Sequence, residues 1–223
     1  LTREEGLRAG GVKVTEKSGG QQVTQREVEN VGDRPVYLQA GDTVKGGQQD
    51  RSIAVDFILK PKSGKTTVDA FCVEPGRWAN REASVSTLSV AFDASPAPVA
   101  TKEQKLAIKG AKSQSGVWEA GRDANMNLSR NARSGMTQDS YVLAAEDPKV
   151  KEKTEEYVKA LAGAVEGKDE LVGMAFAVNG EANTAEIYAT TGLFLKLWPK
   201  LLRGAAVEAF AKKPEKPAEK VAS

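Results

Sequence analysis

The 223 residues predict an α+β chain with an N-terminal antiparallel β-sandwich or barrel-like domain packed on a smaller α+β domain. Three observations carry this. Short β-type segments recur between Val12 and Phe92, separated by turn clusters and free of helical periodicity. A Pro- and Ala-rich connection, residues 94–101, then interrupts the pattern. Beyond it, apolar residues mostly recur at helical spacing. The expected boundaries are 1–93 for the β domain, 94–211 for the α+β domain and 212–223 for a Lys/Glu/Pro/Ala-rich disordered or linker tail.

Each element has a local reason. Thr2 and Glu5 stand in capping-box spacing and Gly10–Gly11 follow as a stop, so residues 2–9 predict a short helix. Strands are expected in VKVTE from Val12, QVTQREVEN from Gln22, RPVYLQA from Arg34, SIAVDFIL from Ser52, TTVDAFCV from Thr66 and SVSTLSVAF from Ser84. KSGG, NVGD, AGD and KPKSGK supply the turn chemistry between them. Helices are expected from near Thr101 and from near Ser113 past Trp118, and the polar stretch 127–140 reads as a mobile surface loop. Asp147 as N-cap and Pro148 at the first helical position open a further helix, with Val150, Thr154, Tyr157, Val158, Leu161 and Val165 at helical spacing.

Asn179–Gly180 then joins two β runs as a hairpin. In the last helix Leu193, Phe194, Leu197, Trp198, Leu201 and Leu202 share one face, with Lys196, Lys200 and Arg203 opposite. Pro199 is expected to kink or restart that helix.

Composition excludes much chemistry. With 32 basic and 30 acidic side chains the net charge is +2, so no overall field points to nucleic acid. No apolar run approaches the roughly 20 residues that span a bilayer. The single Cys72 forms no internal disulfide and reads as a buried, inert thiol. Histidine is absent, which removes Ser–His–Asp and Cys–His catalysis and histidine-containing zinc sites. A general base near neutral pH would be a raised carboxylate or a lowered lysine. No cofactor and no metal are implied. The chain opens on Leu1 rather than Met, which suggests a processed or trimmed product.

Two stretches form the candidate site: GGQQDR at 46–51 and CVEPGRW at 72–78. Gly46 and Gly47 permit close backbone approach, and the amides that follow, to Gln49, form an anion nest. Arg51 and Arg77 suit a bidentate clamp on phosphate or carboxylate, and Trp78 offers a stacking face. Asp42, Asp50 and Glu74 are acids, bases or oxygen ligands for a hard cation. The competing arrangement is structural: KGGQQD turns a corner, and an arginine pairs with Asp50 or Glu74 to pin neighbouring strands. Ion-pair networks inside β domains make this the favoured arrangement.

Four stretches taken together resemble one family. VENVGDRPVYLQAGDTVKGGQQDRSIAVDFILKP is similar to the signature of the ARG- and rhodanese-phosphatase-superfamily-associated protein domain. FCVEPGRW, then QSGVW at 114–118, then VGMAFAVNGE with LFLKLWPKLLRGAAVEAF follow in the family's order, so the resemblance covers nearly the whole chain. Two departures stand out: the family's strand ahead of the LTxxEGL-type helix is missing, and Gln48 stands where the motif carries lysine. The family name records genomic association with ADP-ribosylglycohydrolase-like and phosphatase-like proteins. Export signals in members imply a secreted or cell-envelope location, a cytoplasmic one being the alternative.

Two functions are therefore expected. The first is a non-catalytic binding or assembly module, exported and self-associating through β edges that the missing strand leaves unpaired. Its partners are proteins or further copies of itself, with a small anionic ligand as an added occupant. The second is a hydrolase- or transferase-like enzyme on a phosphorylated or ADP-ribosyl compound. There Glu74 or Asp50 is the general base, while Arg51 and Arg77 hold the anion.

Overall fold

A computed structural model describes residues 1–16, 25–45, 49–75, 98–135 and 140–213. The strand expected from Ser84, the first half of the 94–101 connection and residues 214–223 lie outside these. The class is α+β: a curled antiparallel five-stranded sheet, two separate two-stranded pairs and six α-helices among the described residues.

Helix α1 (Arg3–Arg8) has the reciprocal capping box of Thr2 and Glu5. Strands β1 (Val12–Glu16), β2 (Gln25–Asn30), β4 (Thr43–Val44), β5 (Arg51–Ile53) and β7 (Gly64–Cys72) form the larger sheet in the order β1-β2-β7-β5-β4. Strands β3 (Val36–Leu38) and β6 (Phe57–Leu59) pair with each other instead. The expected single strand SIAVDFIL is therefore two strands in two sheets. Asp56 lies at the break, accepting from the Ala40 amide at 2.9 Å and the Tyr37 hydroxyl at 2.8 Å. AGD turns as expected at Ala40 and Gly41, and the short strand β4, not expected from the sequence, follows directly after it.

Burial follows the strand period: in β2, Arg26, Val28 and Asn30 are buried and their neighbours are not. Val12, Val14, Val28, Val44, Ile53 and Val68 of the large sheet share one apolar cluster with Val36, Leu38 and Leu59 of the β3–β6 pair. Buried Asn30 closes the loop that follows β2. Its side-chain amide donates to the carbonyls of Arg34 and Lys60, and its Oδ1 accepts from the Gly32 amide. The NVGDRP motif is thus a backbone lock.

The helical half begins as expected, with Thr101 capping α2 (Lys102–Leu106) and Ser113 capping α3 (Gln114–Ala132). Residues 127–132, expected in a loop, continue α3, and Leu128 there is fully buried against Tyr141, Val150 and Phe210. Apolar packing on that face overrides the polar composition. Ser140 then caps an unforeseen α4 (Tyr141–Glu146). Asp147 accepts from the amides of Lys149 and Val150 to open α5 (Pro148–Leu161). Val150 and Thr154 of α5 are buried, whereas Tyr157 and Leu161 are exposed, so the inward stripe is shorter than the apolar spacing suggests.

The hairpin β8 (Gly173–Val178) and β9 (Glu181–Ile187) turns on Asn179 and Gly180 at φ 54° and 84°. That double positive φ is the geometry an Asn-Gly turn supplies at little cost. Helix α6 (Thr191–Ala211) runs through Pro199 without restarting. Its apolar residues Phe194, Leu197 and Leu201 pack with Tyr188, while Val207 and Phe210 join α3 and α4. A further cluster joins Ala54, Phe71 and Val73 of the sheet region to Ile108, Val117 and Val142. The end of β7 is also held by α3, since the Gln114 side-chain amide donates to the Cys72 carbonyl and accepts from its amide.

Candidate functional site

The sequence-predicted residues divide into two groups. Gly46, Gly47, Arg77 and Trp78 lie outside the described residues. Gln49, Asp50, Arg51 and Glu74 come together at the ends of β5 and β7, where Arg51 pairs in register with Cys72. Their exposures are 0%, 0%, 3% and 1%. One carboxylate oxygen of Glu74 accepts from the Asp50 amide at 2.8 Å, and the other accepts from the Ser140 hydroxyl at 3.0 Å. The Gln49 side chain donates to the Glu74 carbonyl at 3.2 Å and accepts from Arg51 at 3.0 Å.

Ser140 is also the N-cap of α4, so Glu74 ties the strand end to the start of a helix. Beside it, the buried Lys45 ammonium reaches Glu146 at the other end of α4, at 2.9 Å. Cys72 is a free, fully buried thiol whose Sγ donates to the Glu74 carbonyl, and burial pushes its pKa up. A raised pKa and full burial both oppose thiolate chemistry.

Asp42 belongs to a second centre. The Lys200 ammonium lies 2.5 Å from Asp42 Oδ1 and 3.6 Å from Glu4, and Arg3 approaches Asp42 Oδ2 at 3.7 Å and Glu4 at 2.9 Å. Two cations and two carboxylates thus meet where α1, the turn before β4 and α6 converge. Arg3 also donates to the Thr43 carbonyl at 2.5 Å, and Asp42 accepts from the Gln39 amide. Burial alone would raise the Glu4 carboxyl, yet Arg3 and Lys200 beside it hold it down to about 2. Burial likewise opposes the Arg3 charge, and Asp42 and Glu4 outweigh it, so its pKa is raised. Lys200, expected on the basic face opposite the apolar one, is only 9% exposed at its side chain. One turn earlier, Lys196 stays outside on Glu5.

A third centre escaped the sequence reading. Glu208 of α6, 6% exposed, accepts from the Lys102 amide at the start of α2 and from the Asn183 side chain of β9, at 3.1 and 2.6 Å. Burial pushes its carboxyl above the usual range, although these two bonds pull the other way. Lys212 bridges the Asn183 oxygen and Glu103 at 2.7 and 2.9 Å. The available signal was a lone acid inside the apolar run GAAVEAFA. No group of three or more Cys, Asp or Glu side chains among the described residues is arranged to hold a metal ion.

The family model described as the ARG and Rhodanese-Phosphatase-superfamily-associated Protein domain matches residues 1–223. No curated protein and no solved structure matches the chain.

Proposed function

The chain belongs to the ARG and Rhodanese-Phosphatase-superfamily-associated Protein domain family, and from that premise we propose that it is a non-catalytic binding or assembly module. The observation that supports this is the burial of Asp50, Arg51 and Glu74, each at most 3% exposed, with Glu74 hydrogen-bonded to the protein through both carboxylate oxygens. A general base must reach a substrate proton, directly or through one water. Glu74 instead fastens a strand end to a helix cap.

Self-association is the simplest form of assembly. Among the described residues strand β1 is the outer member of the large sheet, with Lys13 and Thr15 exposed along it, and β6 presents Ile58 at 63% exposure. Strand edges of this kind accept a further strand. A secreted or cell-envelope location belongs to the same proposal and rests on the family resemblance; fractionation of the native host with an antibody tests it.

Light scattering on the purified chain over a range of concentrations tests assembly. A discrete oligomer that persists on dilution is expected, and a monomer at every concentration overturns self-association.

A further inference from the structure

We propose that the groove between α3 and the C-terminal end of α6 docks a lysine- or arginine-bearing segment of a partner protein; this rests on the binding-module reading and names its ligand chemistry. The groove is a cleft of about 370 Å³, lined at the start of α2 by the capping residue Thr101 and by Glu103. Gly116, Ala120 and Ala124 fall at steps of four on α3 and, with Ala211 of α6, give it a floor of small apolar groups. Glu119 and Asp123, one turn apart on the same helix, are exposed along its rim.

Charge decides the occupant. Four acidic residues line the cleft, Glu103, Glu119, Asp123 and Glu208, against one basic residue, Lys212. Glu208 is buried on Asn183 and the Lys102 amide and Glu103 pairs with Lys212, so the remaining exposed charge is that of Glu119 and Asp123. Lys212 is already bound to Glu103 and Asn183. Among the described residues Glu119 and Asp123 make no hydrogen bond or ion pair, and like charges four residues apart on a helix repel. A cation laid across them relieves that repulsion. The carboxylates are not gathered for a metal ion, so the complementary group is an extended organic cation. Lysine and arginine meet both features, with an apolar stem for the floor and a charged head for the rim.

Asn127, Ala211 and Lys212 also line a second cavity of about 470 Å³ beside the β8–β9 turn. A groove of that extent holds a peptide segment rather than a single amine. Its far end carries Arg130 and Lys213 against Glu181, so the groove has an acidic and a basic end. A segment with its cation at the α2 end therefore enters in one direction.

Fluorescence anisotropy with a labelled, N-acetylated lysine–alanine repeat peptide tests this, with a matched glutamate–alanine peptide as control. The lysine peptide is expected to bind saturably and more weakly as salt rises, and the glutamate peptide not to bind. Reversing both rim charges, Glu119→Lys with Asp123→Lys, is expected to lower affinity by about tenfold or more, and the Glu119→Gln/Asp123→Asn pair by less. Both positions are exposed, so the variants keep the fold. Equal binding of the two peptides, or an unchanged affinity after reversal, overturns the proposal. Equally tight binding of free cadaverine overturns it in favour of a small amine. A dimer that the reversal abolishes, with no peptide binding, overturns it in favour of a second copy. Failure of the groove alongside a persistent oligomer in light scattering leaves the module reading standing.

Discussion

Lys200 of α6 places its ammonium 2.5 Å from the Asp42 carboxylate, joining the last helix to the turn before β4 across 158 residues of sequence. Asp42 is 1% exposed and is held from its other side by Arg3. Taking two charges out of water is costly, and their attraction compensates only while both are present. Lys200→Met is therefore expected to destabilise the protein by about 3 kcal/mol in urea denaturation. Lys196→Met, which removes the half-exposed pair with Glu5, is expected to cost less than about 1 kcal/mol. Equal effects from the two substitutions would show that the buried network contributes nothing special.

Glu4 gives that network a pH signature. Its carboxyl is held at about 2 against an ordinary 4.5, so the folded state binds its proton less readily than the unfolded chain. The stability it contributes is fully present above pH 4.5 and is lost as pH falls from there through about 2. Glu4→Gln is expected to lower stability near neutrality and to flatten the profile across that window. A variant profile parallel to wild type would contradict the assignment.

Glu208 has the opposite sign. Its folded pKa is raised by burial, so its contribution is fully present below the unfolded value of 4.5 and is lost as pH rises through the folded value. Glu208→Gln is expected to remove this decline, and denaturant midpoints measured from pH 4 upward check it.

Gly41 carries a backbone demand that only glycine meets at low cost. Its φ is +88°, and a Cβ there would lie 2.7 Å from Lys105 Cε, whose ammonium is engaged with Glu186. Gly41→Ala is expected to cost more than Gly64→Ala, which has a similar φ of +63° but open space around it. The φ penalty alone is about 1–2 kcal/mol. Thermal melts of the two variants, compared side by side, measure the excess.

The fold was legible wherever local chemistry decides it. The caps at Thr2, Thr101, Ser113 and Asp147 and the Asn179–Gly180 turn each act within a few residues, and each stands where the residues put it. Long-range pairing was less legible. Nothing local says that SIAVDFIL divides between two sheets, because the break depends on Asp56 meeting Ala40 and Tyr37. Residues 127–132 look like a loop until Leu128 finds Tyr141 and Phe210.

The candidate site followed the same rule. Asp50, Arg51 and Glu74 were picked out as charges beside glycine, and their convergence needed the β5–β7 register. Arg3, Glu4 and Lys200 sit in ordinary amphipathic helices, and only tertiary packing turns them inward.

On the module reading, the Glu74 carboxylate holds the protein together rather than reacting. Urea denaturation of Glu74→Gln, run beside turnover assays on ADP-ribosyl and phosphorylated substrates, tests it most directly. Replacing one oxygen by an amide leaves the Asp50 amide or the Ser140 hydroxyl without its acceptor. A loss of about 3 kcal/mol is expected, with no turnover in either protein. Unchanged stability together with turnover that Glu74→Gln abolishes would contradict it.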